Sequence, residues 1–295
     1  MNPASMSEAA RLDGALGPID WSLWPPQAER STFAAPSGPL AMVSMGPVDG
    51  RRVVLVPGMT GSKEDFVLMM PLLAASGCRV ESFDMSGQYE SYAAGPENLD
   101  PPSDRYTLEL FVDDLHAVLA AGRTPAHVLG YSFAGTVASV LAIARPELFA
   151  SLTLLSAPPL SGQSLRGFKW LGPISPFIPG RALGPAFIVA LRHNVHRAPL
   201  DRAEFVTARF EYTRRSSVGD MLALMKRTPD LDAELRATGI PLLVVTGSND
   251  VFPHELHRAY ADRLGARLVV LATGHSPCET APHQVTRAMR ELIEG

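Results

Sequence analysis

The stretch that most restricts how this chain can fold is Val128-Leu129-Gly130-Tyr131-Ser132-Phe133-Ala134-Gly135. An apolar run, 126–129, stops at a glycine. A serine follows two residues later between two aromatic residues, and a helix-compatible run, 136–144, comes next. The order strand, sharp turn, helix puts Ser132 at the apex of the turn. A side chain carried there is lifted clear of a sheet, and the strained backbone beneath it tolerates only small neighbours. Gly130 and Ala134 flank the serine at two residues on either side, so the motif reads Gly-x-Ser-x-Ala. A plain turn whose serine caps the next helix would use the same residues, so the remainder of the chain has to discriminate.

The 295 residues suffice for one large α/β domain or two small ones, and 46% hydrophobic against 19% charged residues allows a sizeable core. A net charge of -4 argues against nucleic acid as the main partner. Cys78 and Cys278 show neither metal-ligand spacing nor a disulfide framework, which fits a reducing, cytoplasmic compartment. Residues 1–17 carry Glu8, Arg11 and Asp13 where a secretory leader needs an apolar stretch, and no apolar run reaches the length of a membrane span. A soluble protein without an integral membrane segment is expected.

Residues 1–28 read as an N-terminal extension, made irregular by Trp21, Trp24 and Pro25-Pro26, that straps across the surface. Residues 33–35 and 40–45 predict two short strands. The run 52–56 predicts a strand buried on both faces, ending in Pro57-Gly58-Met59-Thr60-Gly61-Ser62. Ser62 is a suitable N-cap for a helix over 63–75. A glycine-rich strand-to-helix loop can aim a backbone N–H at a developing oxyanion, and the Met59 amide is the natural donor. A strand over 78–83 ends at Asp84, which is expected to hold its loop by local hydrogen bonds. Thr107 opens a helix to 121 with apolar residues at helical spacing.

After a strand over 152–155 the alternation lapses. Residues 158–230 have the size and composition of a helical cap inserted between a first core segment, 29–157, and a second, 231–295. Helices are expected over 202–215 and 218–225. Trp170, Phe177 and Phe187 are candidates for an apolar wall against substrate. Nine Lys and Arg against three Asp and Glu over 166–215 read as a solvated outer face, with attraction of an anionic substrate or membrane surface as the functional alternative. The core resumes with a strand over 240–246, a helix over 254–264, a strand over 266–271 and a closing helix over 282–293. His254, His257 and His283 read as helix-surface residues, and His116 and His127 as structural. His193 and His196 lack partners at metal-ligand spacing, so no metal site is expected.

Ser132, Asp250 and His275 each fall just past the end of a predicted strand, and in a parallel sheet those ends share one rim. A serine hydroxyl needs an adjacent base. An imidazole supplies it, and a carboxylate fixes the imidazole's tautomer. The chain resembles the α/β-hydrolase superfamily over about residues 30–295. Val-Pro-Gly-Met-Thr-Gly-Ser at 56–62 looks like that family's oxyanion loop. Asp-Met-Ser-Gly-Gln-Tyr-Glu-Ser at 84–91 looks like the loop after its fourth strand, and the elbow, Gly-Ser-Asn-Asp at 247–250 and Gly-His at 274–275 fall in its order.

The resemblance implies an α/β-hydrolase fold, with a mostly parallel sheet flanked by helices and an inserted helical cap. It implies Ser132 as nucleophile, His275 as base and Asp250 as acid, with the Met59 and Phe133 amides as the oxyanion hole and no cofactor. Pro57 stands where many members have histidine, and Ala134 where the elbow commonly has glycine. The serine argues against dehalogenase and epoxide-hydrolase relatives, which use aspartate there. The expected activity is hydrolysis of an ester or related acyl bond in a small to medium lipophilic molecule. Acyl transfer, C–C bond hydrolysis and a non-catalytic ligand-binding homologue remain open.

Overall fold

The computed structural model describes residues 3–167 and 200–294. Along the chain these form α1 (Pro3–Gly14), β1 (Glu29–Ala35), β2 (Gly38–Met45), β3 (Arg51–Val56), α2 (Met69–Ala75), β4 (Cys78–Phe83), α3 (Leu108–Ala120) and β5 (Ala126–Tyr131). Then come α4 (Phe133–Ala144), β6 (Phe149–Leu155), α5 (Leu200–Tyr212), α6 (Arg215–Met225), α7 (Asp232–Ala237), β7 (Leu242–Gly247), α8 (His254–Leu264), β8 (Arg267–Leu271), α9 (Pro277–Thr280) and α10 (Pro282–Glu294).

The eight strands make one sheet in the order β1-β2-β4-β3-β5-β6-β7-β8. The hairpin β1–β2 is antiparallel, and β2 joins β4 antiparallel. From β4 to β8 every pairing is parallel. Side chains alternate across a strand, so a strand covered on both faces must be apolar at every position. Val54, Val56, Val128, Leu152, Leu154 and Val244 feed one core layer, against α3, α4 and α8. Val53, Leu55, Leu129, Leu155, Leu243 and Val245 feed the other, against α2 and α10.

The register sets the site. Tyr131 lies opposite Leu155, Leu155 opposite Val245, and Gly247 opposite Leu271. The C-terminal ends of β5, β7 and β8 therefore finish on one rim, and the residues that follow them meet there.

Three local expectations change. The extension is partly helical: α1 packs along α10, and Asp13 accepts hydrogen bonds from the His283 and Gln284 amides at 2.8 and 3.2 Å. Trp21 is buried. The helix expected over 63–75 is instead a 3-10 turn, Lys63–Phe66, followed by α2. Lys63, Glu64 and Asp65 are all buried, and their side chains enter ion pairs with Asp84, with one another and with Arg209. The insertion between β6 and β7 includes α5 and α6, close to the expected bounds. Trp170, Phe177 and Phe187, together with the apolar wall assigned to them, lie outside the described residues.

Candidate active site

Ser132 stands between β5 and α4 with φ 52° and ψ -122°. That conformation is costly for a residue with a Cβ, and it persists only where the surroundings enforce it. Here the Ser132 amide donates to Leu155 O at 2.8 Å, and the Gly135 amide donates back to Ser132 O at 2.9 Å. The small neighbours are required by space. A Cβ at Gly130 would lie 2.6 Å from the Ala134 carbonyl oxygen, and one at Gly58 would lie 3.0 Å from Ser132 Cβ. Ala134 is fully buried, so its methyl group is the bulk this elbow accommodates.

The structure brings the three candidate side chains into one hydrogen-bonded line. His275 Nδ1 is 2.8 Å from Asp250 Oδ1, and His275 Nε2 is 3.1 Å from Ser132 Oγ. An ionised carboxylate only accepts, so Nδ1 carries the proton and Nε2 presents its lone pair to the serine hydroxyl. Asp250 is completely buried and also accepts from Thr246 Oγ1 at 3.0 Å and from the Phe252 amide at 3.2 Å. Burial opposes its charge, but the adjacent His275 and the hydrogen bonds outweigh burial and lower its pKa to about 2. Asp250 is thus held ionised as a fixed partner for the ring.

The loop bearing His275 is pinned on two sides. Tyr131, next to the serine, shares a 2.8 Å hydrogen bond with Ser276, and its ring lies 5.5 Å from the His275 ring. Four residues beyond the histidine, Glu279 pairs with Arg202 of α5.

Of the two amides singled out in the sequence, one directly follows the serine and the other lies in a loop that approaches it. That of Phe133 belongs to the first turn of α4, whose donors have no intrahelical partner and which no side chain caps. That of Met59 follows Gly58, whose backbone packs against Ser132. The loop turns through a Gly61 amide to Gly58 carbonyl bond of 2.9 Å, with Thr60 at φ 61°.

Asp84 holds its loop, as expected, accepting from the Lys63 and Glu90 amides. The sequence did not disclose its buried partner: Lys63 Nζ is 3.0 Å from Asp84, 3.0 Å from Glu64 and 2.6 Å from Glu90. Burial works against the ammonium charge, but the three carboxylates outweigh it and hold the lysine above its usual pKa.

Two of the nine cations expected on a solvated face, Arg202 and Arg209, are instead buried, whereas Arg166 and Arg215 are exposed as expected. Arg202 and Arg209 both reach Asp65 Oδ1, at 2.9 and 2.6 Å, and Arg209 also donates to Ser62 Oγ at 3.1 Å. Arg202 stacks on Trp21 at 4.4 Å. Their seven-residue spacing on one helix face was a legible signal; that the face turns inward was not.

Among the described residues, no three His, Cys, Asp or Glu side chains gather as metal ligands would, and no helix is long and apolar enough to cross a membrane.

Comparison with known proteins places this geometry in context. Over 236 residues the chain is 29% identical to a putative carbamate hydrolase of Variovorax paradoxus (strain S110), covering 77% of this chain and 84% of the relative. It superposes on the enol-lactonase of Burkholderia xenovorans LB400 with a TM-score of 0.70 and 18% identity, over 90% of this chain and 100% of that one. An epoxide hydrolase of Vigna radiata matches as well in shape, with a TM-score of 0.69 and 14% identity over 91% and 98%. At such identities the superpositions speak for the fold alone, since one fold carries several chemistries. The model described as "Alpha/beta hydrolase family" matches residues 53–288, the span from β3 to the closing helix that holds the elbow and both partner loops, and the chain belongs to that family.

Proposed function

We propose that this protein is a serine hydrolase that cleaves an ester or related acyl bond through a covalent acyl-enzyme. The observation that carries the reading is the unbroken line Asp250–His275–Ser132, with the serine held on a strained turn. His275 Nε2 takes the hydroxyl proton as Ser132 Oγ attacks the substrate carbonyl. The Met59 and Phe133 amides receive the oxyanion of the tetrahedral intermediate. The imidazolium, stabilised by Asp250, returns its proton to the leaving group, and the acyl group stays on Ser132. Water, deprotonated by the same histidine, then releases the acid and restores the serine. Every proton in the cycle passes through His275, and beyond the substrate and one water each step uses groups of this chain.

The finer parts of the reading rest on the sequence. Residues 158–230 act as a cap whose apolar side chains, Trp170, Phe177 and Phe187 among them, select a small to medium lipophilic acyl group. The protein works in the cytoplasm on a small molecule. Because the Variovorax relative is described as a putative carbamate hydrolase, aryl carbamates belong in the substrate panel beside esters and thioesters.

Stopped-flow hydrolysis of p-nitrophenyl butyrate tests the reading. A burst of about one p-nitrophenolate per protein, followed by slower turnover, is expected of an acyl-enzyme. Ser132→Ala should lose the burst and on the order of 10^4-fold or more in kcat while keeping its fold. A folded Ser132→Ala variant with wild-type turnover would remove Ser132 from the reaction.

A further inference from the structure

Gln88 is fully buried in the loop after β4, and its side chain hydrogen-bonds to Thr60, Ser217 and Met221 rather than to the serine or the histidine. Its side-chain oxygen accepts from the Thr60 amide at 2.9 Å, and its side-chain nitrogen donates to Ser217 Oγ, on α6, at 2.7 Å. The orientation of the amide is fixed by its neighbours. A backbone N–H can only be met by Oε1, and the Ser217 hydroxyl donates to Ser86 O at 3.2 Å, leaving a lone pair for Nε2.

The partner it holds is strained. Gly58, Met59, Thr60 and Gly61 form a turn closed by the Gly61-to-Gly58 hydrogen bond, with φ positive at the third residue and not at the second. That is the pattern of a type II turn, whose third position takes glycine because φ must be positive there. Here it is Thr60, a β-branched residue at φ 61°, a combination seldom adopted without external constraint. Rotating the Met59–Thr60 peptide plane would turn the pattern into type I and relieve the strain. It would also swing the Thr60 N–H away from Gln88 and reverse a peptide dipole beside the Met59 amide.

We propose that Gln88 is the positioning residue of the oxyanion loop: by capturing the Thr60 amide it locks the strained turn in the form that presents the Met59 amide beside Ser132, and through Ser217 it ties that form to the placement of α6. This proposal rests on the serine-hydrolase reading. Two observations join in it. A strained non-glycine residue sits in the loop, and a fully buried side chain spends its acceptor on that residue's amide and its donor on a helix of the insertion. Such a loop would be competent when α6 is seated and would relax when α6 moves.

The test is the kinetics of inactivation by an alkyl fluorophosphonate, whose phosphoryl oxygen occupies the oxyanion position. Gln88→Met keeps the length of the side chain and removes its hydrogen bonds to Thr60 and Ser217, together with the 3.9 Å contact to Met221 Sδ on α6. It is expected to slow the maximal inactivation rate by about 10- to 100-fold, while the concentration for half-maximal rate changes less than about threefold. Thr60→Gly lets the turn adopt positive φ without constraint. In the Thr60→Gly background, adding Gln88→Met should therefore cost less than about threefold. Packing damage alone would not be rescued by a glycine in another loop.

If Gln88→Met does not fold, Ser217→Ala carries the same cycle with a smaller expected loss of about 2- to 10-fold, again suppressed by Thr60→Gly. A wild type that labels, beside a folded Gln88→Met that labels equally fast or is equally slow in both backgrounds, overturns the Gln88 proposal alone. A folded wild type that takes no label overturns the nucleophile reading, and the Gln88 proposal with it.

Discussion

On α8 the imidazole of His257 is fully buried, 3.8 Å from Asp250 Oδ2 and edge-on to Phe252 at 5.9 Å between ring centres. Neither ring nitrogen has a hydrogen-bond partner among the described residues. The sequence reading that put it on the helix surface overlooked a periodicity in plain view. Tyr260, Ala261 and Leu264, at three, four and seven residues beyond, are all buried, so His257 shares their face. Burial lowers its pKa from 6.5 to about 4, against the pull of Asp250. The native state therefore resists a proton that the unfolded chain accepts below about pH 6.5. Stability from this group is complete above pH 6.5 and declines as pH falls toward 4, by roughly 3 kcal/mol across the window. His257→Phe, which suits the apolar site, should lose correspondingly less unfolding free energy than wild type between pH 7 and pH 4 in urea titrations. Parallel losses in the two proteins would mean that the ring does not stay neutral in the native state. Ser132, Asp250 and His275, by contrast, were legible because each falls within four residues of a strand's C-terminal end, where chain order fixes the rim.

Among the elements, those stabilised by their own residues were read closely. The strand Cys78–Phe83 and the helix His254–Leu264 fall on their expected bounds, and Thr107 caps α3 through the Leu110 amide at 3.2 Å. Elements that depend on distant partners were not. The turn at Lys63–Phe66 is set by Asp84, Arg202 and Arg209, up to 144 positions away. The helix α1 carries little amphipathic pattern, and its last turn is anchored by Asp13 to residues 270 and 271 positions on. That anchor satisfies two orphan amides in the first turn of α10, as an N-cap residue does within one segment. Asp13→Ala is expected to destabilise the protein by about 1–2 kcal/mol in denaturant titrations, and to speed hydrogen exchange first at 283–285. Unchanged exchange there would mean that α10 needs no cap from the extension.

For the whole molecule, the parallel sheet explains how residues 143 and 25 positions apart come within hydrogen-bond distance, since Ser132, Asp250 and His275 stand just past the ends of three strands in register. That much follows from a sequence whose strands and helices alternate. How the insertion engages the core does not, because Arg202, Arg209 and Ser217 meet Asp65, Glu279 and Gln88 across 129 to 144 or, for Glu279, 77 positions of chain. These contacts join the insertion to the loops on both sides of the serine. In the proposed reaction Ser132 is a nucleophile activated by His275, whose ring Asp250 holds. The most direct test of that role is incubation with a fluorophosphonate probe followed by peptide mass spectrometry of the intact wild type, Ser132→Ala and His275→Ala. A single phosphonyl adduct on Ser132, absent from Ser132→Ala and strongly suppressed in His275→Ala, is the expected result. A folded wild type that takes no label, or an adduct that persists in Ser132→Ala, would contradict it.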